Sequence, residues 1–273
     1  MTKHEGRMTD ELRLFSEYVA RMGIGRAVQP AQSDPALVGK RLGLINAASW
    51  ITLWCNYFGK LYLPGVQLIN ASNDAVQLNF TRAFDAGEPC PPQSNIDAFV
   101  QMAHDLVELG RVDAILITCS TMNRSYPAVA QAVRVPVVPI DLPMMQAAVQ
   151  HGGKILVLAT LGTTVHSTLA LLRETAQQLS QPADCVGVTV QDAWRRLSEG
   201  DLVAHNELLA RVIRDAVARE TIGCVVLAQL SMSVFALSYP DPFAEFGVPV
   251  FNSGQCGFQR MREILTALPR RED

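Results

Sequence analysis

The second half of this chain repeats its first, and that repeat narrows the possible folds more than any single motif does. Lys40-Arg41-Leu42-Gly43-Leu44-Ile45-Asn46 resembles Lys154-Ile155-Leu156-Val157-Leu158-Ala159-Thr160 at an offset of 114. Ile115-Leu116-Ile117-Thr118-Cys119-Ser120-Thr121-Met122 lines up with Val225-Val226-Leu227-Ala228-Gln229-Leu230-Ser231-Met232 at an offset of 110, and Val135-Pro136-Val137-Val138 with Val248-Pro249-Val250-Phe251 at 113. Each pairing alone is what two apolar strands give by chance. Three in one order at nearly one spacing indicate a duplicated unit.

Within each unit, short apolar runs alternate with longer amphipathic stretches. Strands are predicted at 42–45, 66–69, 114–118, 135–140, 155–158, 186–189, 225–227 and 248–251. Several lack polar alternation, as strands covered on both faces do. Helices are predicted at 95–109 and 202–220, with apolar residues on one face and charges on the other. This β-α rhythm is that of a parallel α/β protein. Residues 1–40 stand apart: Leu12, Phe15, Val19 and Met22 fall at helical spacing and are followed by a Pro- and Gln-containing connector at 29–35.

Such sheets bind ligands at the carboxyl ends of their strands, and two similar halves form a cleft between them. The residues that follow the strands are Asn46, Cys119, Ser120, Thr121 and Asn123 in the first half, and Thr160, Gly162, Thr163, Thr164, Gln229 and Ser231 in the second. Composition removes other classes of function. The 273 residues carry 23 Lys and Arg against 26 Asp and Glu, a formal net charge of -3, so no basic nucleic-acid-binding surface is expected. With 49% hydrophobic and 18% charged residues the chain should fold. No apolar run reaches the ~18 residues of a membrane span, and no apolar leader opens the chain, so a cytoplasmic protein is expected. Its six cysteines are dispersed without metal-ligand spacing and are expected to be thiols, with no metal site.

Cys119 ends an apolar strand and enters a hydroxyl-rich turn at the start of a helix. Helix N-termini favour thiolates, which makes Cys119 a candidate base or nucleophile. Ser120 and Thr121 on one side, with Thr160, Gly162, Thr163 and Thr164 on the other, can hold a carboxylate through hydroxyls and backbone N–H groups. Thr163 and Thr164 serve equally well as helix caps. Neither phosphate-binding glycine motif is present. The five histidines read as surface or capping residues, His166 included. Trp50, Trp54, Tyr57 and Phe58 read either as a roof over the pocket or as core.

Thr118-Cys119-Ser120-Thr121, Val135-Pro136-Val137-Val138-Pro139-Ile140-Asp141, Val157-Leu158-Ala159-Thr160 with Gly162-Thr163-Thr164, and Val226-Leu227-Ala228-Gln229 together resemble the motif series of the aspartate/glutamate/hydantoin racemase superfamily, whose relatives include arylmalonate decarboxylase and maleate isomerase. The resemblance covers residues 40 to 260. It implies two pseudo-symmetric three-layer α/β domains with mostly parallel sheets and the active site between them. The first would span 41–140 plus 251–273 and the second 141–250, with 1–40 as a helical extension and linker. It also implies a small carboxylate substrate, no cofactor and a homodimer or higher homo-oligomer.

In the racemases, two cysteines on opposite faces of the substrate act as base and acid. The first maps onto Cys119; in place of the second stands Gln229, and Cys224 lies five residues earlier, near the other end of its strand. Where glutamate racemases place an aspartate after the first strand, this chain has Asn46. Neither amide titrates near neutrality. The expectation is isomerase/racemase-type or lyase chemistry on a small amino, hydroxy or dicarboxylic acid, with Cys119 reactive and Gln229 a hydrogen-bonding partner. Members of the superfamily with one essential cysteine decarboxylate by protonating an enediolate. A non-catalytic protein that binds a small acid is the reading from a different class.

Overall fold

The computed structural model describes residues 10–22 and 34–269. The first of these segments is a helix, α1 (Asp10–Met22). Most of the connector read at 29–35 lies outside the described residues. From residue 41 the chain runs β1 (Arg41–Asn46), α2 (Thr52–Tyr62), β2 (Gln67–Ser72), α3 (Asp74–Asp85), α4 (Gln93–Glu108), β3 (Ala114–Ile117), α5 (Tyr126–Ala132) and β4 (Val137–Pro139). It continues with α6 (Asp141–His151), β5 (Lys154–Ala159), α7 (Gly162–Gln178), β6 (Asp184–Thr189), α8 (Gln191–Ser198), α9 (Leu202–Arg219) and β7 (Cys224–Leu227). The last elements are α10 (Phe235–Ser238), α11 (Pro242–Phe246), β8 (Val250–Asn252) and α12 (Ser253–Ala267).

Two four-stranded parallel sheets result, in the orders β2-β1-β3-β4 and β6-β5-β7-β8. The repeat is visible in register, with β5 shifted by one residue from its sequence alignment: Leu42 pairs with Ala114 in the first sheet as Ile155, not Leu156, pairs with Cys224 in the second. Helices cover both faces of each sheet, which explains the runs without polar alternation. Along β1, Leu42 and Leu44 join one core while Ile45 joins the other. Leu156 and Leu158 likewise face away from Ile155, Val157 and Ala159 on β5. This is the two-residue period of a strand with both faces buried.

The helices that end the two halves are exchanged. After β4, α6 crosses to the second sheet, where Met144, Met145, Ala148 and Val149 pack on Ile155, Val157 and Val226. After β8, α12 crosses back, and Phe258, Met261 and Leu265 pack on Leu42, Leu44 and Leu116. β8 stays on the second sheet through Asn252, so the return to the first begins at Ser253. The far end of α12 is held by the buried Lys40, whose Nζ donates to the Leu268 and Pro269 carbonyls, a cation placed where a helix exposes its carbonyls. The approach of α12 depends on small residues. A Cβ on Gly257 would lie 2.5 Å from Ile140 Cγ1, and one on Gly254 2.6 Å from Ser233 Oγ.

Candidate active site

The two central strands β3 and β7 end in the same way. Cys119 follows β3 in extended conformation (φ -107, ψ 113) and opens a 3₁₀ turn, Ser120–Ser125, that leads into α5. Gln229 follows β7 (φ -133, ψ 141) and opens the turn Leu230–Val234, which leads into α10. The Met122 N–H donates to the Cys119 carbonyl at 3.1 Å, and the Met232 N–H to the Gln229 carbonyl at 3.0 Å. Cys119 and Gln229 are therefore equivalent positions of the two halves. The two turns touch: Ser120 Oγ donates to the Ala228 carbonyl at 3.0 Å, joining the residue after Cys119 to the residue before Gln229. Trp54 Nε1 makes a second crossing, donating to the Ser231 carbonyl at 3.0 Å.

Cys119 is half-buried, with its Sγ 3.2 Å from Thr121 Oγ1. Burial pushes its pKa up, and this outweighs the Thr121 hydroxyl and the Met122 and Thr121 N–H groups, which pull it down; the charge of Asp141 adds to the rise. The turn therefore does not make the thiolate expected from its position, and the resting group is a thiol. Gln229 is half-buried, and its Oε1 accepts from Thr160 N at 2.7 Å and Thr160 Oγ1 at 2.8 Å. Its Nε2 has no partner among the described residues and remains a free donor. In the first half the strand ends are tied one residue earlier, by Thr118 Oγ1 donating to Asn46 Oδ1.

Asn46 is wholly buried; its Nδ2 donates to Asn70 Oδ1 and Ser72 Oγ, and its Oδ1 also accepts from Cys55 Sγ at 3.3 Å. It braces the strand ends and presents no free polar atom to the cleft. Thr160, Thr164 and Ser231 are buried, whereas Gly162 is exposed and Thr163 half-exposed. Neither threonine caps α7: the N-cap residue is Leu161, and no side chain bonds the helix start. The Thr164 and Val165 N–H groups donate to the Leu161 carbonyl, which leaves the Gly162 and Thr163 amides open to a ligand.

Ser120, Thr121, Asn123 and Thr163 meet around a cavity of about 250 Å³, whose walls also include Phe80, Arg124 and His166. Arg124 pairs with Glu174 of α7 at 3.3 Å, again across the two halves. Of the aromatic candidates, Phe58 belongs to the core, while Trp50 stands edge-on to Trp54 (centroids 5.3 Å apart) and to Trp194 (6.3 Å). Cys55 and Cys224 are buried, and desolvation pushes both thiols up to about 12.

Asp141 was not singled out from sequence as a site residue. It starts α6 where the halves meet, is 1% exposed, and accepts from Asn123 Nδ2 at 2.7 Å. The signal available was an acid placed directly after an apolar strand. Arg124 and Trp194 gave no sequence signal that separates them from other surface residues. Among the described residues, no three His, Cys, Asp or Glu side chains cluster as a metal site would require, and no helix is long and apolar enough to cross a membrane.

The chain is similar in fold to an aspartate racemase from Picrophilus torridus (TM-score 0.61, 13% identity, covering 83% of this chain and 94% of that one). It is also similar to an aspartate racemase homologue from Pyrococcus horikoshii (0.63, 19%, 83% and 99%) and to allantoin racemase from Klebsiella pneumoniae (0.58, 18%, 86% and 95%). In sequence, no curated protein matches it. The family profile described as Asp/Glu/Hydantoin racemase matches residues 82–261, a stretch that holds both Cys119 and Gln229. With two parallel sheets in the same order and a profile match over more than half its length, the chain belongs to the Asp/Glu/hydantoin racemase family of enzymes.

Proposed function

We propose that this chain is a cofactor-independent isomerase/racemase-type enzyme or lyase acting on a small amino, hydroxy or dicarboxylic acid, with Cys119 as its proton-transfer or nucleophilic group. The observation that supports this is the Ser120 to Ala228 hydrogen bond, which ties the residue after Cys119 to the residue before Gln229 at the junction of the halves. The substrate carboxylate is held by the open amides of α7 together with the hydroxyls of Thr121 and Thr163, while Ser120, whose O–H is given to the Ala228 carbonyl, fixes the turn beside it. Loss of CO2 from a second carboxyl on the same carbon leaves its electron pair behind as an enediolate on the carboxylate that is held. In the isomerising reaction the α-proton must instead pass to the minor thiolate form of Cys119, which then returns it as the thiol. Because Thr160 occupies its oxygen, Gln229 offers only its N–H donors, and these suit an enediolate oxygen. The Cys119 thiol, protonated at rest, then delivers a proton to the carbon.

With one titratable group on the site's first half and a non-titrating amide on the second, proton delivery is one-sided. This arrangement favours isomerisation or lyase chemistry over free racemisation. The experiment is incubation of the protein with a panel of amino, hydroxy and malonic acids in D2O, read by NMR and chiral chromatography. Deuterium uptake, isomerisation or CO2 loss that survives EDTA and fails in Cys119→Ala is the expected result. Ligand-induced thermal stabilisation with no turnover on any acid would make the small-acid-binding reading the better one. We further propose a cytoplasmic homodimer or higher homo-oligomer, which sedimentation velocity and cell fractionation test.

A further inference from the structure

We infer that the side chain of the substrate acid is apolar and lodges between α3 and α7, where Phe84 and Leu171 select it and Ala170 leaves it room. The inference rests on the carboxylate site proposed above, at Thr121, Thr163 and the leading amides of α7. Both threonines stand on the wall of the 250 Å³ cavity, and Thr121 Oγ1 lies 3.2 Å from Cys119 Sγ. A small acid held by them has its reacting carbon on the thiol side and the rest of its length in the cavity. There the wall is apolar from both halves: Phe80 and Phe84 come from α3, Ala170 and Leu171 from α7. Phe80 is anchored in the core, whereas Phe84 is 47% exposed, a large ring left open beside the cavity. The polar groups that share the wall are mostly spent within the protein. Ser120 gives its O–H to the Ala228 carbonyl, Ser167 to the Thr164 carbonyl at 3.1 Å, and Asn123 its amide to Asp141 at 2.7 Å. The Arg124 guanidinium is paired with the Glu174 carboxylate. His166, one turn along α7 from Thr163, is exposed. A side chain ending in a carboxylate must therefore break an existing ion pair or lie against two phenyl rings, while an apolar one only leaves water.

The volume sets the size of that group. An apolar cavity of roughly 150 Å³ holds benzene, so 250 Å³ takes a phenyl ring or a branched alkyl group together with the carboxylate. The duplicated fold has an equivalent flank between α2 and α8, and there the structure fills the space. The sheet orders place β1 and β2 where β5 and β6 stand, so α2 corresponds to α7 and α8 to α3. On that flank Trp50, in the turn before α2, stands edge-on to Trp194 of α8 with centroids 6.3 Å apart. Trp54 covers the carbonyl of Ser231, the equivalent of Thr121, by donating to it at 3.0 Å. Ser231 is 2% exposed, whereas Thr121 lines an open cavity. Three indoles thus stopper one flank, and a side chain leaving the site has the other to enter.

The test is binding of three probe acids to the intact protein by isothermal titration calorimetry, with turnover in the D2O panel as a separate readout. Phenylacetate carries an apolar ring, succinate a second carboxylate and acetate neither. Wild type should bind phenylacetate at least about tenfold more tightly than succinate or acetate, the discrimination that a few apolar contacts supply. Ala170→Phe fills the cavity and should remove this preference while acetate still binds. Phe84→Lys should turn the preference toward succinate. Trp194→Ala, on the filled flank, should leave the ratio of phenylacetate to succinate affinity within about twofold, as for an independent site. A wild-type preference for succinate that His166→Ala abolishes overturns the inference. So does an equal loss of all three acids in Ala170→Phe and Phe84→Lys, which marks the gap as an entrance, or a Trp194→Ala ratio that shifts as far as that of Ala170→Phe. If Ala170→Phe does not fold by circular dichroism, Phe84→Lys, at an exposed position, decides. Binding of none of the three acids overturns the pocket and the carboxylate site together. A phenylacetate preference in a protein that turns over no acid keeps the pocket and defeats the proposed activity; turnover confined to acids with charged side chains does the reverse.

Discussion

Replacing Cys119 with alanine should lower turnover of any substrate found in the D2O panel by about two to four orders of magnitude, the usual worth of a positioned acid or base. Binding should persist in thermal-shift titrations, since hydroxyls and amides hold the carboxylate. Gln229→Cys tests the second position: a thiol there should create exchange of the α-proton with loss of chirality on an amino or hydroxy acid, measured by chiral chromatography in D2O. Thr160→Val removes one of the two donors to Gln229 Oε1 and leaves the backbone N–H, so it should weaken native turnover by about 0.5–1.5 kcal/mol in kcat/KM, the net worth of one hydrogen bond. Cys119 and Gln229 could be placed at the carboxyl ends of the sheets from sequence because each lies just past an apolar strand, with Ser120 next in the chain, and strand ends converge in a parallel sheet. Asn46 obeys the same rule and still turns inward, since Thr118, Asn70 and Ser72 on the neighbouring strands consume its amide. Asp141 closes a stretch that the sequence marks as a strand and as one of the family-like motifs, without marking it as a site residue. Its place at the junction is fixed by Asn123, which donates to it from the turn after β3.

At the scale of elements, the eight strands were legible because their apolar runs are short and bounded by helical stretches, although β4 and β8 are shorter than their runs. Valines and prolines extend the apolar pattern past the point where ladder pairing begins or ends. The exchange of α6 and α12 was less visible, because an amphipathic helix records that it has an apolar face and does not record which sheet that face meets. The glycines of α12 carry part of that information. Gly257→Val would drive side-chain atoms into Ile140, which a Cβ alone approaches to 2.5 Å at Cγ1 and 3.0 Å at the carbonyl oxygen. A loss of about 1–3 kcal/mol is expected, as for other overpacked sites, measured as a lower urea midpoint with an unchanged slope.

For the molecule as a whole, the junction of the halves makes stability depend on pH in an unusual direction. A carboxyl raised from 3.8 to about 6 on folding is ionised first in the unfolded chain. Its contribution is fully present below pH 3.8 and is lost as pH rises through about 6, a change of about 3 kcal/mol at most. Asp141→Asn should therefore flatten the stability profile between pH 4 and 7, as read by urea denaturation at each pH. We propose that the folding units are 41–140 with the C-terminal segment from 251, and 141–250; a chain ending at Asn252 should then lose protection in the first unit by hydrogen exchange. The crossing of α12 also imposes an order on synthesis. The strands of the first sheet leave the ribosome early, yet the side chains that close one of its faces, Phe258, Met261 and Leu265, are among the last to be added. At ordinary elongation speeds the nascent chain carries that open apolar face for on the order of ten seconds. A cell making this enzyme must shelter a half-built sheet until its final helix arrives.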